Sequence, residues 1–299
     1  MLEILQKLVG TEQVWAQEPM KKHTTFRVGG CARYLVEPGD VQQLSAVVNA
    51  CREQKVPYYV VGNGSNLLVS DAGYNGVIIH LFKNMSEIRT EGNHMILQAG
   101  ALLARAARTA CREGLSGLEF ASGIPGTVGG ALVMNAGAYG GEMKDVVTCV
   151  TVLNPEGELQ EYTKEQMAFG YRRSRLTEEA GIVLETEFTL HPGRTEEIQA
   201  RMEELKEKRV LKQPLEYASA GSTFKRPEGH FAGKLIEDAG LRGFRIGDAQ
   251  VSEKHCGFVI NRDNASASEI AEVIRQVQDR VYAHSGVRLQ TEVKFLGWE

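Results

Sequence analysis

The sequence predicts an α+β protein, a two-part larger region followed by a smaller α+β unit, and three observations carry the prediction. Short alternating or β-branched apolar runs recur between segments whose apolar residues repeat at helical spacing. Two glycine-rich stretches, at 60–69 and 121–141, each follow such a group of strands and helix. A strongly charged helical stretch at 195–211 separates these groups from a third set of helices and strands. The expected boundaries are 1–80 and 81–195 for the two parts, 205–285 for the smaller unit and 286–299 for a last strand.

Residues 1–20 read as a short amphipathic helix, with Leu2, Leu5, Leu8 and Val9 on one face, and a polar link. A strand at 32–36 ends at Glu37-Pro38-Gly39-Asp40, where Asp40 caps a helix with Val41, Leu44, Val47, Val48 and Cys51 on its apolar face. A strand at 57–61 enters the first glycine stretch. Strands at 76–81 and 95–99 follow, then a helix at 102–111 whose core face is Leu102, Leu103, Ala106, Ala107 and Ala110, with Gly114 as its stop.

Beyond the second glycine stretch, 146–153 and 158–162 alternate about Asn154-Pro155-Glu156-Gly157, which is a hairpin, and a strand follows at 182–190. The charged helix has Ile198, Met202, Leu205 and Val210 as its inner stripe, and Glu203, Glu204, Lys206, Glu207 and Lys208 form a solvated face. The smaller unit holds a helix at 232–239, strands at 249–251 and 256–260, and a helix at 268–282 for which Ser266 and Ser268 are both candidate caps. A final alternating strand at 287–296 carries Glu292.

Composition excludes several classes. The 299 residues, 42% hydrophobic and 24% charged, are those of an ordinary globular chain, without collagenous, coiled-coil or disordered bias. A formal net charge of -4 argues against a nucleic-acid binder held by phosphate contacts. No apolar run approaches the roughly 20 residues that span a bilayer, and no signal core is visible at the N-terminus, so no membrane partner and a cytoplasmic location are expected. The five cysteines, Cys31, Cys51, Cys111, Cys149 and Cys256, include no Cys-x-x-Cys, which supports neither a disulfide framework nor a metal site.

Glycine costs more backbone entropy to order than any other residue, so a chain that concentrates it needs positive φ or close approach to bare backbone. For the run Ala121-Ser122-Gly123-Ile124-Pro125-Gly126-Thr127-Val128-Gly129-Gly130 two readings are open, an anion cradle and a loop packed for its own sake. The first stretch, Val61-Gly62-Asn63-Gly64-Ser65-Asn66-Leu67, is not a dinucleotide fingerprint, because Leu67 stands where the third glycine belongs. No Gly-Lys-Ser/Thr occurs anywhere, which removes a Walker loop.

Together the two glycine stretches resemble the paired FAD-cradling loops of the vanillyl-alcohol-oxidase, or PCMH-type, flavoproteins. Within that superfamily His23 to Gly30, Gly170-Tyr171-Arg172-Arg173-Ser174, Ala220-Gly221-Ser222-Thr223-Phe224-Lys225 and Glu292-Val293-Lys294-Phe295 are similar to the UDP-N-acetylenolpyruvoylglucosamine reductase (MurB) family. The resemblance runs in order over nearly the whole chain, and matches the branch without an extra tyrosine-bearing loop. It implies a PCMH-type FAD domain in two parts, a substrate domain, non-covalent FAD and NADPH as reductant. It places FAD on Gly62, Asn63, Gly64, Ser65, Asn66, Leu67, Ser122, Gly123, Ile124, Pro125, Gly126, Val128, Gly129, Gly130, Asn135 and Gly137.

The implied reaction reduces an enol ether conjugated to a carboxylate in a UDP-sugar, a small-molecule substrate for peptidoglycan precursors. Hydride adds to the terminal methylene carbon, and negative charge develops on its neighbour and spreads into the carboxylate. Such a site needs a fixed cation, a donor to the enolate and a proton source, each preorganised donor commonly lowering the barrier by about 3 to 4 kcal/mol. Arg172 suits the cation because a guanidinium stays charged and grips a carboxylate with two parallel bonds. Ser222 is the family's proton donor, and Glu292, to help rather than repel, must be neutral and donate. Arg173 and Arg175 read as surface residues, and Tyr171 as core or substrate contact. Lys225 and Arg226, with Arg209 or Lys212, are left for the substrate's diphosphate, and His255 is a further candidate near the site. Asp248, where the family usually has a second glycine, and Cys256, where alanine is usual, depart from the pattern. Two rivals stand beside this reading: another flavin oxidase or dehydrogenase of the superfamily, and a non-enzymatic nucleotide-binding protein.

Overall fold

The charged helix predicted near 195–211 runs Thr195–Lys212, and the chain divides within it. The computed structural model describes residues 1–298. One unit comprises Met1–Ala16, Tyr34–Asn63 and Gly76–Arg209, and the other Gln17–Arg33, Gly64–Asn75 and Val210–Glu299. Two early segments, Gln17–Arg33 and Gly64–Asn75, thus group with the C-terminal residues.

The first unit is built on a five-stranded antiparallel sheet ordered Leu159–Thr163, Val147–Leu153, Ile182–Thr189, His94–Gln98 and Ile88–Glu91. Its hairpin turns where predicted, the Asn154 amide donating to Glu158 and Gly157 taking φ +89°. Strand Ile182–Thr189 is buried through Ile182, Val183 and Leu184, and buried and half-buried residues alternate from Leu184 to Thr189, as in a strand with one face on a core. Helix Leu103–Arg112 lays Leu103, Ala106, Ala107 and Ala110 into that core, and Gly114, at φ +66°, stops it. Leu102 lies just before the helix and is only half-buried.

A second core element is helix Val41–Glu53, where the Asp40 carboxylate accepts from the Gln43 amide at 2.8 Å, as its position in the sequence predicts. Strand Tyr58–Val61 lies parallel to Tyr74–His80, with Val61 opposite His80. These two belong to a sheet ordered Val14–Pro19, Cys31–Val36, Tyr74–His80, Tyr58–Val61. Val14–Pro19 was expected as a polar link. It is an edge strand with only Val14 buried, so it carries no apolar alternation. In the charged helix Ile198 and Leu205 are buried and Met202 is half-buried, but Val210 is 50% exposed and does not belong to the inner stripe.

The second unit packs helix Ala267–Ser285 through Ile270, Val273, Ile274, Val277 and Val281 against the sheet Arg245–Ile246, Ala249–Val251, Val259–Asn261 and helix Ala232–Asp238. Ser266 is the cap: its hydroxyl accepts from the Glu269 amide while the Glu269 carboxylate accepts from the Ser266 amide. The expected strand at 256–260 shifts to Val259–Asn261, because His255–Phe258 forms a turn with His255 Nδ1 accepting from the Gly257 amide at 3.1 Å. Gly247 takes φ +54°, and the Asp248 carboxylate beside it accepts from the Asn264 amide, so the departure from glycine is absorbed by a polar turn.

The early segments are tied into this unit by identifiable bonds. The Asn261 amide donates to the Phe26 carbonyl at 3.0 Å. Strand Leu67–Val69 pairs parallel with Lys294–Leu296, and Trp298 Nε1 donates to the Leu68 carbonyl. Only Lys294–Leu296 of the expected strand at 287–296 forms a ladder. Leu289 and Val293 do point inward, but the chain opposite them supplies only residues 223–225, giving the single bridge Phe224 to Thr291.

Asp71 closes this arrangement by accepting from the amides of Ala267 and Ser268, each at 2.8 Å, at the start of the long helix. Burial pushes its carboxyl up, but hydrogen bonds from the Ser268 hydroxyl and the two amides outweigh that and hold it below the usual carboxylate range. The stabilisation is thus present above the unfolded value of about 3.9 and lost as pH falls through the folded one. Asp71→Ala should cost about 1 kcal/mol at neutral pH. Urea titrations should show the gap between parent and variant closing in acid, whereas a gap independent of pH would point to packing alone.

Candidate functional site

The first glycine turn leaves strand Tyr58–Val61 at Gly62, where a side chain is sterically excluded: a Cβ would fall 2.2 Å from the Thr127 hydroxyl. Asn63 spans the same gap, its Nδ2 donating to the Pro125 carbonyl at 2.7 Å. The two glycine stretches, some sixty residues apart, therefore meet backbone to side chain within the first unit. His80, buried opposite Val61, fixes the turn from behind. Its Nε2 donates to the Gly62 carbonyl at 3.0 Å, and its Nδ1 lies 2.7 Å from Glu37 Oε1.

In the second unit the same turn continues through Gly64, which takes φ +58° and accepts from the Thr25 amide at its carbonyl. A Cβ there would fall 1.9 Å from the His23 carbonyl oxygen. Thr25 Oγ1 is a buried side-chain atom without a hydrogen-bond partner among the described residues. Ser65 and Asn66 follow at half-exposed positions, and Leu67 is buried as the strand resumes.

The second stretch is not a single loop. Ser122 and Gly123 follow a short turn, and Thr127 caps helix Val128–Val133 by accepting from the Gly130 amide. Gly123 faces Arg209, whose Nη1 would lie 2.9 Å from an added Cβ. Burial lowers the pKa of this guanidinium while the Tyr139 phenol opposes the shift, so a cation is held in a partly desolvated place against the glycine run. The sequence offered Arg209 only as a candidate for a substrate phosphate. Its place against Gly123 depends on the direction of helix Thr195–Lys212, which residue types do not encode.

Arg172 lies on a tight turn in which Gly170 and Arg173 exchange backbone hydrogen bonds, and it has φ +53°. Left-handed backbone is uncommon for a residue with a side chain, and is held only where the surroundings over-determine it. Here its Nη2 donates to the Gly137 carbonyl at 3.4 Å, and its guanidinium lies 5.2 Å from the centre of the exposed Tyr171 ring. Asn135, at φ +40° and fully buried, donates to the Gly170 carbonyl and to Glu142 Oε2. Arg173 is exposed and pairs with Glu178, whereas Arg175, read as a surface residue, is half-buried, its Nε donating to the Gln166 carbonyl and its guanidinium pairing with Glu179.

Ser222 and Glu292 lie in the second unit and on adjoining backbone, because the Glu292 amide donates to the Thr223 carbonyl at 2.8 Å. Ser222 is exposed and Glu292 half-buried. Buried Thr223 anchors the pair, its amide donating to the Gly257 carbonyl and its hydroxyl accepting from the Val259 amide. Lys225 continues the bridged segment, and the exposed Arg226 stacks its guanidinium 4.0 Å from the centre of the Phe231 ring. His255, in the turn that receives Thr223, has its pKa lowered by burial, with its own backbone opposing and Lys212 adding to the shift. It is therefore a neutral ring at physiological pH.

An FAD binding domain matches residues 32–163, and the UDP-N-acetylenolpyruvoylglucosamine reductase C-terminal domain matches residues 213–296. A UDP-N-acetylenolpyruvoylglucosamine reductase of Agathobacter rectalis is 53% identical over 94% of this chain and 93% of its own. That of Clostridioides difficile is 50% identical over 98% and 96%. The chain belongs to the UDP-N-acetylenolpyruvoylglucosamine reductase family. Its fold agrees with that of the Thermus caldophilus reductase at a TM-score of 0.82, with 38% identity over 93% of this chain and 97% of that one.

For this family's FAD domain the residues of the first unit fit a flavin nucleotide: a turn at Gly62 and a run at 122–130 made of bare backbone, with the Arg209 cation against the run. The turns' contact at Gly62 is the point of greatest leverage. Gly62→Ala should push Thr127 from its cap and part the two loops, costing about 1 to 3 kcal/mol. FAD absorbance in the purified protein should fall with it, and an unchanged flavin content would mean that this contact does not shape the site.

Proposed function

We propose that the protein is an NADPH-dependent UDP-N-acetylmuramate dehydrogenase, reducing the enolpyruvyl ether of UDP-N-acetylenolpyruvoylglucosamine in the cytoplasm during peptidoglycan precursor synthesis. What supports the reading is identity of about half the residues with curated reductases along nearly the whole chain, covering both the FAD domain and the C-terminal domain.

FAD, when bound and reduced by NADPH, would supply hydride for the terminal methylene carbon. Residues 62–67, 122–130 and 137, with Arg209, would hold it. The protein's own task is to stabilise the negative charge left on the neighbouring carbon and to protonate it. The Arg172 guanidinium binds the substrate carboxylate into which that charge spreads. Glu292, when neutral, donates a hydrogen bond to the enolate oxygen, an interaction that grows as charge develops and so favours the transition state over the ground state. The Ser222 hydroxyl gives its proton to the carbanionic carbon, completing a saturated lactyl ether, and is reprotonated from solvent. Lys225 and Arg226 bear the charge to meet the diphosphate, and Tyr171 offers an exposed ring beside Arg172.

Anaerobic spectroscopy tests the reading. NADPH should bleach the yellow protein, and the enolpyruvyl sugar nucleotide should restore the colour with formation of the lactyl product. A protein that bleaches but recovers only with another acceptor would be a different flavin reductase, and one that takes up no FAD would not be a flavoenzyme. Ser222→Ala should bleach normally but recover about 100- to 10,000-fold more slowly. Glu292→Gln, which keeps a donor, should be much less impaired in the recovery step than Glu292→Ala, and equal losses would assign Glu292 another role.

A further inference from the structure

The glycine run does more than offer bare backbone, because its far end is fastened to the turn that carries Arg172. Val133, Asn135 and Gly137 each bond to that turn or to the residues just after it. The Val133 carbonyl accepts from the hydroxyls of Ser174, at 2.9 Å, and Thr177, at 3.2 Å. The Gly137 carbonyl accepts from Arg172 itself. Between them, the Asn135 side chain donates to the Gly170 carbonyl at 3.1 Å and to Glu142 Oε2 at 2.6 Å, and its Oδ1 accepts from the Lys144 amide at 3.0 Å.

Both amide hydrogens of Asn135 are thereby committed to protein acceptors, and the residue is fully buried. Such a side chain has no donor left for a ligand. It is instead a buried bracket between the run and residue 170, two positions before Arg172. Arg172 needs one, since its left-handed backbone is a conformation that only external contacts maintain.

We propose that Asn135 is a positioning residue for Arg172 rather than a contact of the cofactor. Through Gly170 it fixes where the guanidinium stands relative to the glycine run. The inference rests on the function proposed above, in which Arg172 receives the substrate carboxylate. A cation displaced by about 1 Å loses rate by roughly 100-fold while binding of other groups is unaffected.

Asn135→Gly tests this directly, because glycine accepts the positive φ and removes only the amide. Asn135→Asp retains the acceptor for the Lys144 amide as a second variant should the first fold poorly. In the FAD-loaded protein we expect flavin content and the rate of bleaching by NADPH to stay at the parent's values. Recovery on adding the enolpyruvyl sugar nucleotide should slow by about 10- to 100-fold. Combining Asn135→Gly with Arg172→Ala should be no slower than Arg172→Ala alone, since the bracket acts only through the guanidinium. Loss of flavin from Asn135→Gly would make it a cofactor contact and overturn the proposal, as would equal slowing of both half-reactions or additive effects in the double variant. If the parent itself bleaches but fails to recover, the proposed function falls, and the variants are not needed to show it.

Discussion

The first unit depends on one steric constraint: the absence of a side chain at Gly62, which lets the Thr127 hydroxyl come within reach of bare backbone. Because Thr127 also caps helix Val128–Val133, the same atom that touches the first turn sets where the second stretch becomes helical. Asn63 and His80 hold the turn from its other sides, Asn63 donating to the Pro125 carbonyl and His80 to the Gly62 carbonyl. The two stretches are thus one construction, and a ligand bound to either is referred to the same frame.

Within each unit, buried polar side chains tie the candidate residues to segments distant in sequence. The Asn135 amide ties the frame to the Arg172 turn, and Thr223 ties Ser222 and the neighbouring Glu292 to the turn at His255–Phe258. Each is buried and satisfied, the condition under which polar groups specify one arrangement instead of costing stability. The exposed charges, by contrast, are paired on helix faces such as Arg275 with Glu272 and Asp279, where they contribute little beyond solubility.

Much of this was legible in the sequence where the cause is local. Asp40 before an apolar periodic run, Gly114 after one and Asn154 to Gly157 between alternating segments each determine their own structure within a few residues. The strand Val14–Pro19 was not legible, because an edge strand with one buried residue has no pattern to read. Nor was the limit of the last strand, since Leu289 and Val293 alternate correctly and only the shortness of the opposing segment stops the ladder. Arg172, Ser222 and Glu292 were singled out in the sequence by motifs that resemble the family's. The placing of Asn135 on Gly170 and of Arg209 against Gly123 depends on contacts between distant segments that composition does not record.

The parallel pairing of Leu67–Val69 with Lys294–Leu296 has a bearing on how the protein is made. Asn66, at the edge of the first turn, donates to the Glu292 carbonyl across 226 residues. Closing so long a loop costs entropy before any contact repays it, which makes this pairing a late event on the folding route. During synthesis the downstream flank of the turn therefore waits, unpaired, until residues 294–296 have left the ribosome.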